Sequence, residues 1–238
     1  MRPPEGLVHG VDTPLTLDQV FPWGRSFSEY CRMFALRSVD LAGRILGCGD
    51  GPAAFNAALT ARGGRVISAD PLYQFSSDEI RSRVEVARER IVANTRQNAA
   101  AYRWDEITSI EAMVELRMRA MEDFLLDFQQ GKAASRYYPH ALPELPFADR
   151  AFDLVLCSHF LFLYSPTLTL DFHLAAMEEM LRVGREIRVF PLRDFNGGVS
   201  PYIEPIAAVL REQGCDVELR EVPYEFLRGA NTMMVAKS

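Results

Sequence analysis

The sequence predicts an α/β protein with a doubly wound, mostly parallel sheet. Residues 44–70 have the pattern of a strand, a glycine-rich turn, a short helix and a second strand, which is the repeating unit of such sheets. Residues 152–157 form a continuous apolar run, as expected of a parallel strand buried on both faces. Residues 76–131 carry two helical apolar patterns where an ordinary crossover needs one helix. We therefore predict an N-terminal arm and capping helix over residues 1–42 and one domain over residues 43–238, with a helical insertion after the second strand at residues 76–131.

The composition argues against several classes of partner. The chain has 238 residues, a net charge of −6 and 48% hydrophobic residues, so it is long enough for a full core. It has no run of basic residues, which argues against nucleic acid. No apolar run approaches the roughly 20 residues of a membrane span, and the N-terminus lacks the apolar region of a signal peptide. The scattered cysteines are predicted to be reduced thiols of a cytoplasmic protein.

A short helix is predicted near the N-terminus. Ser26 and Glu29 have the spacing of a capping box, and apolar residues follow at helical intervals. This helix either packs against the sheet edge or closes over a ligand as a lid. In the second case Trp23, Arg25 and Tyr30 face the ligand, so these three are candidate substrate-pocket residues.

Three glycines alternate in the turn after the first predicted strand. Gly47, Gly49 and Gly51 let the backbone turn tightly and approach a ligand with no Cβ in the way. Pro52 suits a first helical residue, so we predict that the helix starts there and ends at the glycine pair 63–64. The free N–H groups of that helix start would attract a carboxylate or a phosphate.

An acidic residue ends the second predicted strand. Asp70 follows Gly49 at close to the roughly 20-residue spacing of the acid that binds ribose hydroxyls in dinucleotide folds. The nicotinamide fingerprint G-x-G-x-x-G would need its third glycine where Pro52 stands. The pattern of this chain is G-x-G-x-G, so a second class of nucleoside cofactor competes with the nicotinamide dinucleotides.

The segment between the second strand and the next contains two predicted helices. Ser76 and Ser109 stand where N-caps are expected, and apolar residues recur on one face of each helix. Tyr102 and Trp104 lie in the break between the helices. The segment either covers a face of the sheet or walls a substrate pocket. Because insertions in this kind of fold tend to lie over the carboxyl ends of strands, Tyr102 and Trp104 are candidate substrate-pocket residues.

The second half of the chain returns to alternating strands and helices. The predicted order is a strand, a helix, a strand, a helix and a closing pair of strands, at residues 152–157, 170–183, 185–191, 205–213, 216–222 and 231–236.

Two motifs together carry a family resemblance. The G-x-G-x-G turn resembles motif I of the class I S-adenosylmethionine-dependent methyltransferases. The stretch LPFADRAFDLVLCSH at residues 145–159 resembles the LPF-x-(D/N)-x-x-FD segment of that family, particularly of small-molecule enzymes related to quinone-biosynthesis methyltransferases. The resemblance covers about residues 40–75 and 136–238. It implies a seven-stranded Rossmann-like sheet with an antiparallel last strand, S-adenosyl-L-methionine as cofactor, and methyl transfer to a small-molecule acceptor.

The resemblance also implies where the cofactor binds. The glycine turn would hold its methionine part, Asp70 its ribose and Leu72 its adenine, while the end of the fourth strand faces the methionine. The implied cofactor-binding residues are Gly47, Cys48, Gly49, Asp50, Gly51, Asp70, Pro71, Leu72, Cys157, Ser158 and His159.

Two positions depart from the family pattern. Ile45 stands where the family usually has an acid that binds the methionine ammonium, and the candidates to replace it are Asp50 and backbone carbonyls of the turn and the fourth strand. Ala141 stands where an acid commonly binds adenine N6, which leaves this contact to backbone groups or to His140.

The implied chemistry is an in-line displacement, in which much of the rate comes from the orientation of the two reactants. A base is needed only when the acceptor is protonated. His159 is the candidate catalytic base, and its alternative role is to shape the cofactor pocket. No group of residues has metal-site spacing. Two other functions stay open: a cofactor-binding protein without catalysis, and another nucleoside-cofactor enzyme on this fold, such as an aminopropyl transferase or an oxidoreductase.

Overall fold

The computed structural model describes residues 20–238, so the first part of the predicted N-terminal arm lies outside the described residues. Seven strands form one sheet in the order β3-β2-β1-β4-β5-β7-β6. Strands β1 to β5 pair in parallel, whereas β7 is antiparallel to both β5 and β6. The strands are β1 (Arg44–Cys48), β2 (Arg65–Ala69), β3 (Tyr137–Tyr138), β4 (Leu154–Ser158), β5 (Glu186–Phe190), β6 (Asp216–Glu221) and β7 (Thr232–Lys237). The predicted doubly wound, mostly parallel sheet with an antiparallel last strand is confirmed.

The path of the chain creates a crevice at the centre of the sheet. From β1 the chain moves outward to β2 and β3 on one side, and it then returns to β4 and β5 on the other. The carboxyl ends of β1 and β4, which are neighbours, therefore border a topological switch point. In open α/β sheets this is where ligands bind.

Helices cover both faces of the sheet. They are α1 (Phe27–Met33), α2 (Ser38–Ala42), α3 (Phe55–Ala61), α4 (Ser77–Gln97), α5 (Ile110–Ala133), α6 (Leu170–Val183) and α7 (Ile203–Glu212). Because successive strand residues point to opposite faces, Leu46 and Cys48 of β1 join the core under α6 and α7, while Ile45 joins the core under α1 and α3. Within residues 20–238, no helix has the length and apolar character that crossing a membrane requires.

The helices α4 and α5 lie between β2 and β3 and have a small core of their own. Ser76 caps α4 with the reciprocal hydrogen bonds of a capping box to Glu79, and Ser109 caps α5, as predicted. Tyr73, which follows β2, packs against Phe124 of α5 with ring centroids 5.8 Å apart. The pair of helices is thereby joined to the sheet edge. Their description as an insertion, and the division of the chain at residue 43, stay predictions.

One predicted boundary is wrong in a way that affects the site. The first crossover helix, α3, begins at Phe55 rather than at Pro52, and it has only seven residues. The N–H of Ala54 donates to the carbonyl of Arg25 at 3.0 Å, so the chain before α1 takes up a group that the expected helix start would have offered to an anion. One of the donors that the sequence assigned to an anion is therefore already used within the chain.

Candidate active site

A large cavity opens at the crevice between the carboxyl ends of β1 and β4. Its volume is about 1180 Å³, which exceeds the roughly 300–1,000 Å³ of a typical small-molecule pocket. Its walls come from the glycine turn, the ends of β2 and β4, the segment before α1, and residues of α4 and α5. The cavity has room for two small molecules side by side.

The glycine turn forms a rigid rim of this cavity. Gly49 and Gly51 have φ angles of 64° and 54°, in the left-handed region that favours glycine. A Cβ on Gly49 would lie 3.0 Å from Cγ of Phe160, so a larger residue would also force this side chain to shift. Gly51 is held on both sides, because its N–H donates to Asp70 Oδ2 and its carbonyl accepts from Tyr73 Oη, both at 2.8 Å.

The Asp50 carboxylate lies over the turn and lines the cavity. A Cβ on Gly47 would lie 1.8 Å from Asp50 Oδ2, so Gly47 makes room for this carboxylate. Tyr30 Oη and Ser68 Oγ donate to its two oxygens at 2.8 and 2.7 Å. Burial raises the pKa of Asp50 to about 6, although both hydrogen bonds act to lower it. A buried carboxylate of this kind is suited to bind a cation, which would restore its usual pKa.

Asp70 closes the turn from the end of β2. Its Oδ2 accepts from the Gly51 N–H, and its Oδ1 accepts from the Leu72 N–H at 2.7 Å. A carboxylate has about four acceptor positions, so acceptor capacity remains for a ligand hydroxyl. Burial raises the pKa of Asp70. Pro71 and Leu72 follow in a single turn of 3₁₀ helix and line the cavity beside it.

His159 enters the cavity from the end of β4. Its φ of 51° is uncommon for a residue other than glycine. Its backbone N–H donates to the carbonyl of Phe190 at 2.7 Å. Nδ1 of the ring lies 3.0 Å from Ser158 Oγ. Burial lowers the pKa of His159 well below its usual value, and Arg25 and Arg117 lower it further. The imidazole is therefore neutral at physiological pH.

A buried charged cluster lies in the cavity wall beyond His159. We call Arg25, Glu29, Arg117 and Tyr224 the arginine cluster. Glu29 Oε1 accepts hydrogen bonds from Arg117 and, at 3.0 Å, from Tyr224 Oη. Burial opposes the ionisation of Glu29, but Arg117 and Arg25 hold its pKa at about 2. Glu29 is the carboxylate of the α1 capping box, so one side chain serves both the helix and the cluster.

Sequence reasoning identified only Arg25 of this cluster. Glu29 lies 88 residues from Arg117 and 195 residues from Tyr224, so no local pattern joins them. One signal was available, because Arg117 lies at helical spacing between Met113 and Met121 on the buried face of α5. An arginine is almost never fully buried unless it is paired, so its place on an apolar face indicates a buried polar contact.

The structure brings most of the sequence-predicted site residues to one cavity. Those that line it are Trp23, Arg25, Tyr30, Gly49, Asp50, Gly51, Asp70, Pro71, Leu72, Tyr102, Ser158 and His159. His140 and Ala141, at the place of the missing adenine-binding acid, line it as well. Residues of α4 and α5 complete the wall, which supports the pocket interpretation of this segment.

Four predicted residues do not line the cavity. Gly47 lies under Asp50, as described above. Cys48 and Cys157 are partners in the pairing of β1 with β4, and burial raises the pKa of both thiols. Trp104 lies outside because its Nε1 donates to the carbonyl of Ala99 at 2.8 Å and its ring packs against Phe226. Within residues 20–238, no three His, Cys, Asp or Glu side chains are grouped as metal ligands would be.

The chain was compared with known families and proteins. No protein-family model matches it. It is 28% identical over 227 residues to an uncharacterized protein of Methanocaldococcus jannaschii, and the match covers 94% of this chain and 98% of the relative.

Several solved structures are distantly similar. One is the magnesium protoporphyrin IX methyltransferase of Synechocystis PCC 6803 with bound SAM, at a TM-score of 0.43 and 12% identity over 84% of this chain and 72% of that one. Another is a SAM-dependent methyltransferase of Thermotoga maritima, described as a possible histamine N-methyltransferase. Its TM-score is 0.42 and its sequence identity is 12%, over 89% of this chain and 88% of that one. A third is the 1,6-didemethyltoxoflavin-N1-methyltransferase of Burkholderia thailandensis. Its TM-score is 0.41 and its sequence identity is 14%, over 83% of this chain and 71% of that one.

These likenesses are too distant to carry an argument about activity, and the fold rests on the strands of this chain itself. The sheet has seven strands, mostly parallel, with β7 antiparallel to both of its neighbours, as the sequence resemblance implied. This is the Rossmann-like sheet expected from the sequence resemblance to the class I S-adenosylmethionine-dependent methyltransferases.

Proposed function

We propose that this protein binds S-adenosyl-L-methionine and transfers its methyl group to a small-molecule acceptor. One observation carries the proposal. The glycine turn, Asp70 and the Ser158–His159 pair come from separate parts of the chain, yet they border one continuous cavity at the switch point of the sheet. That is the combination of groups that a nucleoside carrying an amino-acid tail requires.

The side chains at the rim fit this cofactor group by group. Asp70 keeps acceptor capacity for the ribose hydroxyls, and Leu72 offers an apolar wall to the adenine. Asp50 is the carboxylate available for the methionine ammonium, because Ile45, which stands at the usual position of that acid, is apolar and buried in the core. His140 lies at the cavity wall beside Ala141, where it can contact the adenine in place of the usual acid. When bound, the sulfonium cofactor supplies an electrophilic methyl group.

The residues of the chain would act mainly by binding and orienting. The rim is fixed by the two hydrogen bonds of Gly51, so the cofactor would be held in one place for in-line attack by the acceptor. His159 is neutral and its Nδ1 is next to Ser158 Oγ, so Nε2 is the atom at which it would take a proton from the acceptor. Its low pKa makes it a weak base, and this suits an acceptor that loses its proton as the new bond forms.

Titration calorimetry with S-adenosylmethionine on the wild type and Gly49→Val tests the cofactor site. The valine meets Phe160 and blocks the close approach of the turn to the ligand, so we expect affinity to fall at least tenfold. Gly63→Val is the matched control. It has a similar positive φ of 82° but no atom within 4 Å of its Cβ, and it lies on the surface at the end of α3. Equal affinity in the wild type and Gly49→Val would contradict the proposed site.

Turnover separates the proposal from its alternatives. Wild-type protein, S-adenosylmethionine and a small-molecule extract should yield S-adenosylhomocysteine. Tight binding without this product with any extract would indicate a cofactor-binding protein without catalysis. Binding of decarboxylated S-adenosylmethionine or of a nicotinamide dinucleotide, in preference to S-adenosylmethionine, would indicate an aminopropyl transferase or an oxidoreductase.

A further inference from the structure

The arginine cluster holds more positive than negative charge. Arg25 and Arg117 supply two guanidinium groups, and Glu29 supplies one carboxylate. Tyr224 is neutral, because burial raises the pKa of its phenol. Within residues 20–238, no second carboxylate forms a hydrogen bond or an ion pair with either arginine. A buried net charge of this kind calls for an anion.

Both arginines also have unused hydrogen-bond donors. The Nε atoms of Arg25 and Arg117 are buried and have no partner in the part of the chain that the structure describes. The Arg117 side chain is only 1% exposed, and both residues line the cavity. Arg25 does make one side-chain hydrogen bond within the described residues, from Nη1 to the carbonyl of Trp23 at 2.7 Å. Because a guanidinium is a donor only, these two Nε–H groups need acceptors from outside residues 20–238.

A third buried arginine shows how this chain completes a structural arginine. Arg188 in β5 is 2% exposed, and its Nε donates to Glu186 at 2.7 Å. Its Nη1 donates to the carbonyl of Phe34 at 2.8 Å and its Nη2 to Asp40 at 3.0 Å. Arg188 thus pairs with two carboxylates, which also pair with the exposed cations Arg37 and Lys237, whereas the two buried arginines of the cluster have one carboxylate between them.

The cluster lies on the His159 side of the cavity, although the backbone of Arg25 accepts a hydrogen bond from Ala54 just after the glycine turn. The Tyr224 ring is 5.9 Å from Phe190 at the end of β5, and the His159 ring contacts the same Phe190 at 5.5 Å. In the sheet, β4 and β5 are on the opposite side of β1 from β2, which ends in Asp70. An anion at the cluster would therefore lie near His159 and apart from Asp70, at the proposed ribose site. The neighbouring wall is aromatic and includes Tyr102 and Phe226.

We propose that Arg25 and Arg117 bind an oxyanion of the methyl acceptor, which is an aromatic or otherwise apolar molecule that carries a carboxylate or a phosphate. The assignment of this anion to the acceptor rests on the proposed methyltransferase function. The anion would take the free guanidinium donors, and the apolar body of the acceptor would lie between the aromatic wall and His159. A planar fork of donors recognises either oxyanion, so the experiment must separate the two.

The test uses three ring compounds as probes on the full chain. Calorimetry measures the binding of benzoate, phenyl phosphate and uncharged benzamide, with and without S-adenosylhomocysteine. We expect at least one anion to bind tenfold or more tightly than benzamide, and the tighter of the two anions identifies the acceptor group as carboxylate or phosphate. Equal binding of all three probes, or binding of none of them, overturns the proposal.

Variants locate the binding to the cluster. Arg25→Gln should weaken the binding of the preferred anion at least tenfold. Since Arg117→Met alone would leave Glu29 buried without its partner, the second variant is the double substitution Glu29→Gln/Arg117→Met, with the same expected loss. Glu29→Gln alone removes the competing carboxylate and should tighten anion binding. Arg119→Gln is the control, because Arg119 is on the same helix with its side chain 70% exposed. Wild-type anion affinity in Arg25→Gln and in the double variant overturns the proposal.

Cofactor titrations keep this proposal distinct from the proposed function. Arg25→Gln and the double variant should bind S-adenosylhomocysteine as the wild type does. If they lose that affinity, the anion is the carboxylate of the cofactor itself, which overturns the acceptor site and leaves the proposed function intact. If the wild type binds neither S-adenosylmethionine nor S-adenosylhomocysteine but binds benzoate through the arginines, the proposed function fails and the anion site stands.

Discussion

Asp50→Asn is predicted to make the ligand-free protein more stable and a poorer binder of S-adenosylmethionine. Burial holds the pKa of Asp50 at about 6, above the usual 3.8. In the folded state the carboxyl therefore keeps its proton to a higher pH than in the unfolded state. Folding stability falls as pH rises from about 4 to above 6, and the full loss corresponds to about 3 kcal/mol. Asparagine does not ionise, so the variant escapes this loss.

Urea unfolding at a series of pH values from 4 to 8 measures the effect. The stability difference between Asp50→Asn and the wild type should be near zero at pH 4 and should grow to as much as about 3 kcal/mol at pH 8. Other titrating groups cancel in this difference. Asp123→Asn, an exposed acid on α5 that does not line the cavity, is the control and should show no such growth.

Cofactor binding should change in the opposite direction. The ionised carboxylate is the proposed partner of the methionine ammonium, and a hydrogen bond between charged groups contributes about 1.5–3 kcal/mol. Calorimetry at pH 8 should therefore show affinity for S-adenosylmethionine lowered roughly 10- to 100-fold in Asp50→Asn. Parallel stability curves for variant and wild type would refute the assigned burial of the charge. Unchanged affinity would refute its role as the ammonium site.

Two further predictions concern the other buried charged or titratable groups. His159→Gln should lower kcat about 100- to 10,000-fold if His159 takes the acceptor proton, with cofactor affinity nearly unchanged. Because burial and two arginines keep the pKa of His159 well below its usual value, kcat at saturating cofactor should be constant from about pH 6.5 to 8, and an inflection in that range would contradict the assignment. Arg188→Met leaves the buried carbonyl of Phe34 without its donor and removes the pairs with Asp40 and Glu186, so it should cost about 3 kcal/mol in urea unfolding. The control Arg185→Met removes an exposed arginine 3.8 Å from its acid and should cost at most about 1 kcal/mol; equal losses would refute the structural role of Arg188.

The parts of the fold that local patterns specify were predictable from the sequence. The helix α6 has the predicted bounds, because its apolar spacing and its N-cap Thr169 are both written within one segment. The capping serines of α1 and α4 were found for the same reason. The start of α3 was not, because the hydrogen bond from Ala54 to the carbonyl of Arg25 depends on a segment that precedes it by about 30 residues and is brought back only by the fold.

For the ammonium site the sequence left Asp50 and backbone carbonyls as alternatives, and the contacts that favour Asp50 come from outside the glycine motif. A sequence pattern expects the ammonium-binding carboxylate at position 45, yet Ile45 points into the core under α1 and α3, where its side chain is fully buried. In the proposed site the carboxylate comes instead from Asp50, which folds back over Gly47. Tyr30 from α1 and Ser68 from β2 hold it there, and neither residue belongs to the glycine motif. In the proposed site, a carboxylate five residues further along the chain thus replaces the missing one, because the cofactor depends on where a charge lies in the cavity and not on its place in the motif.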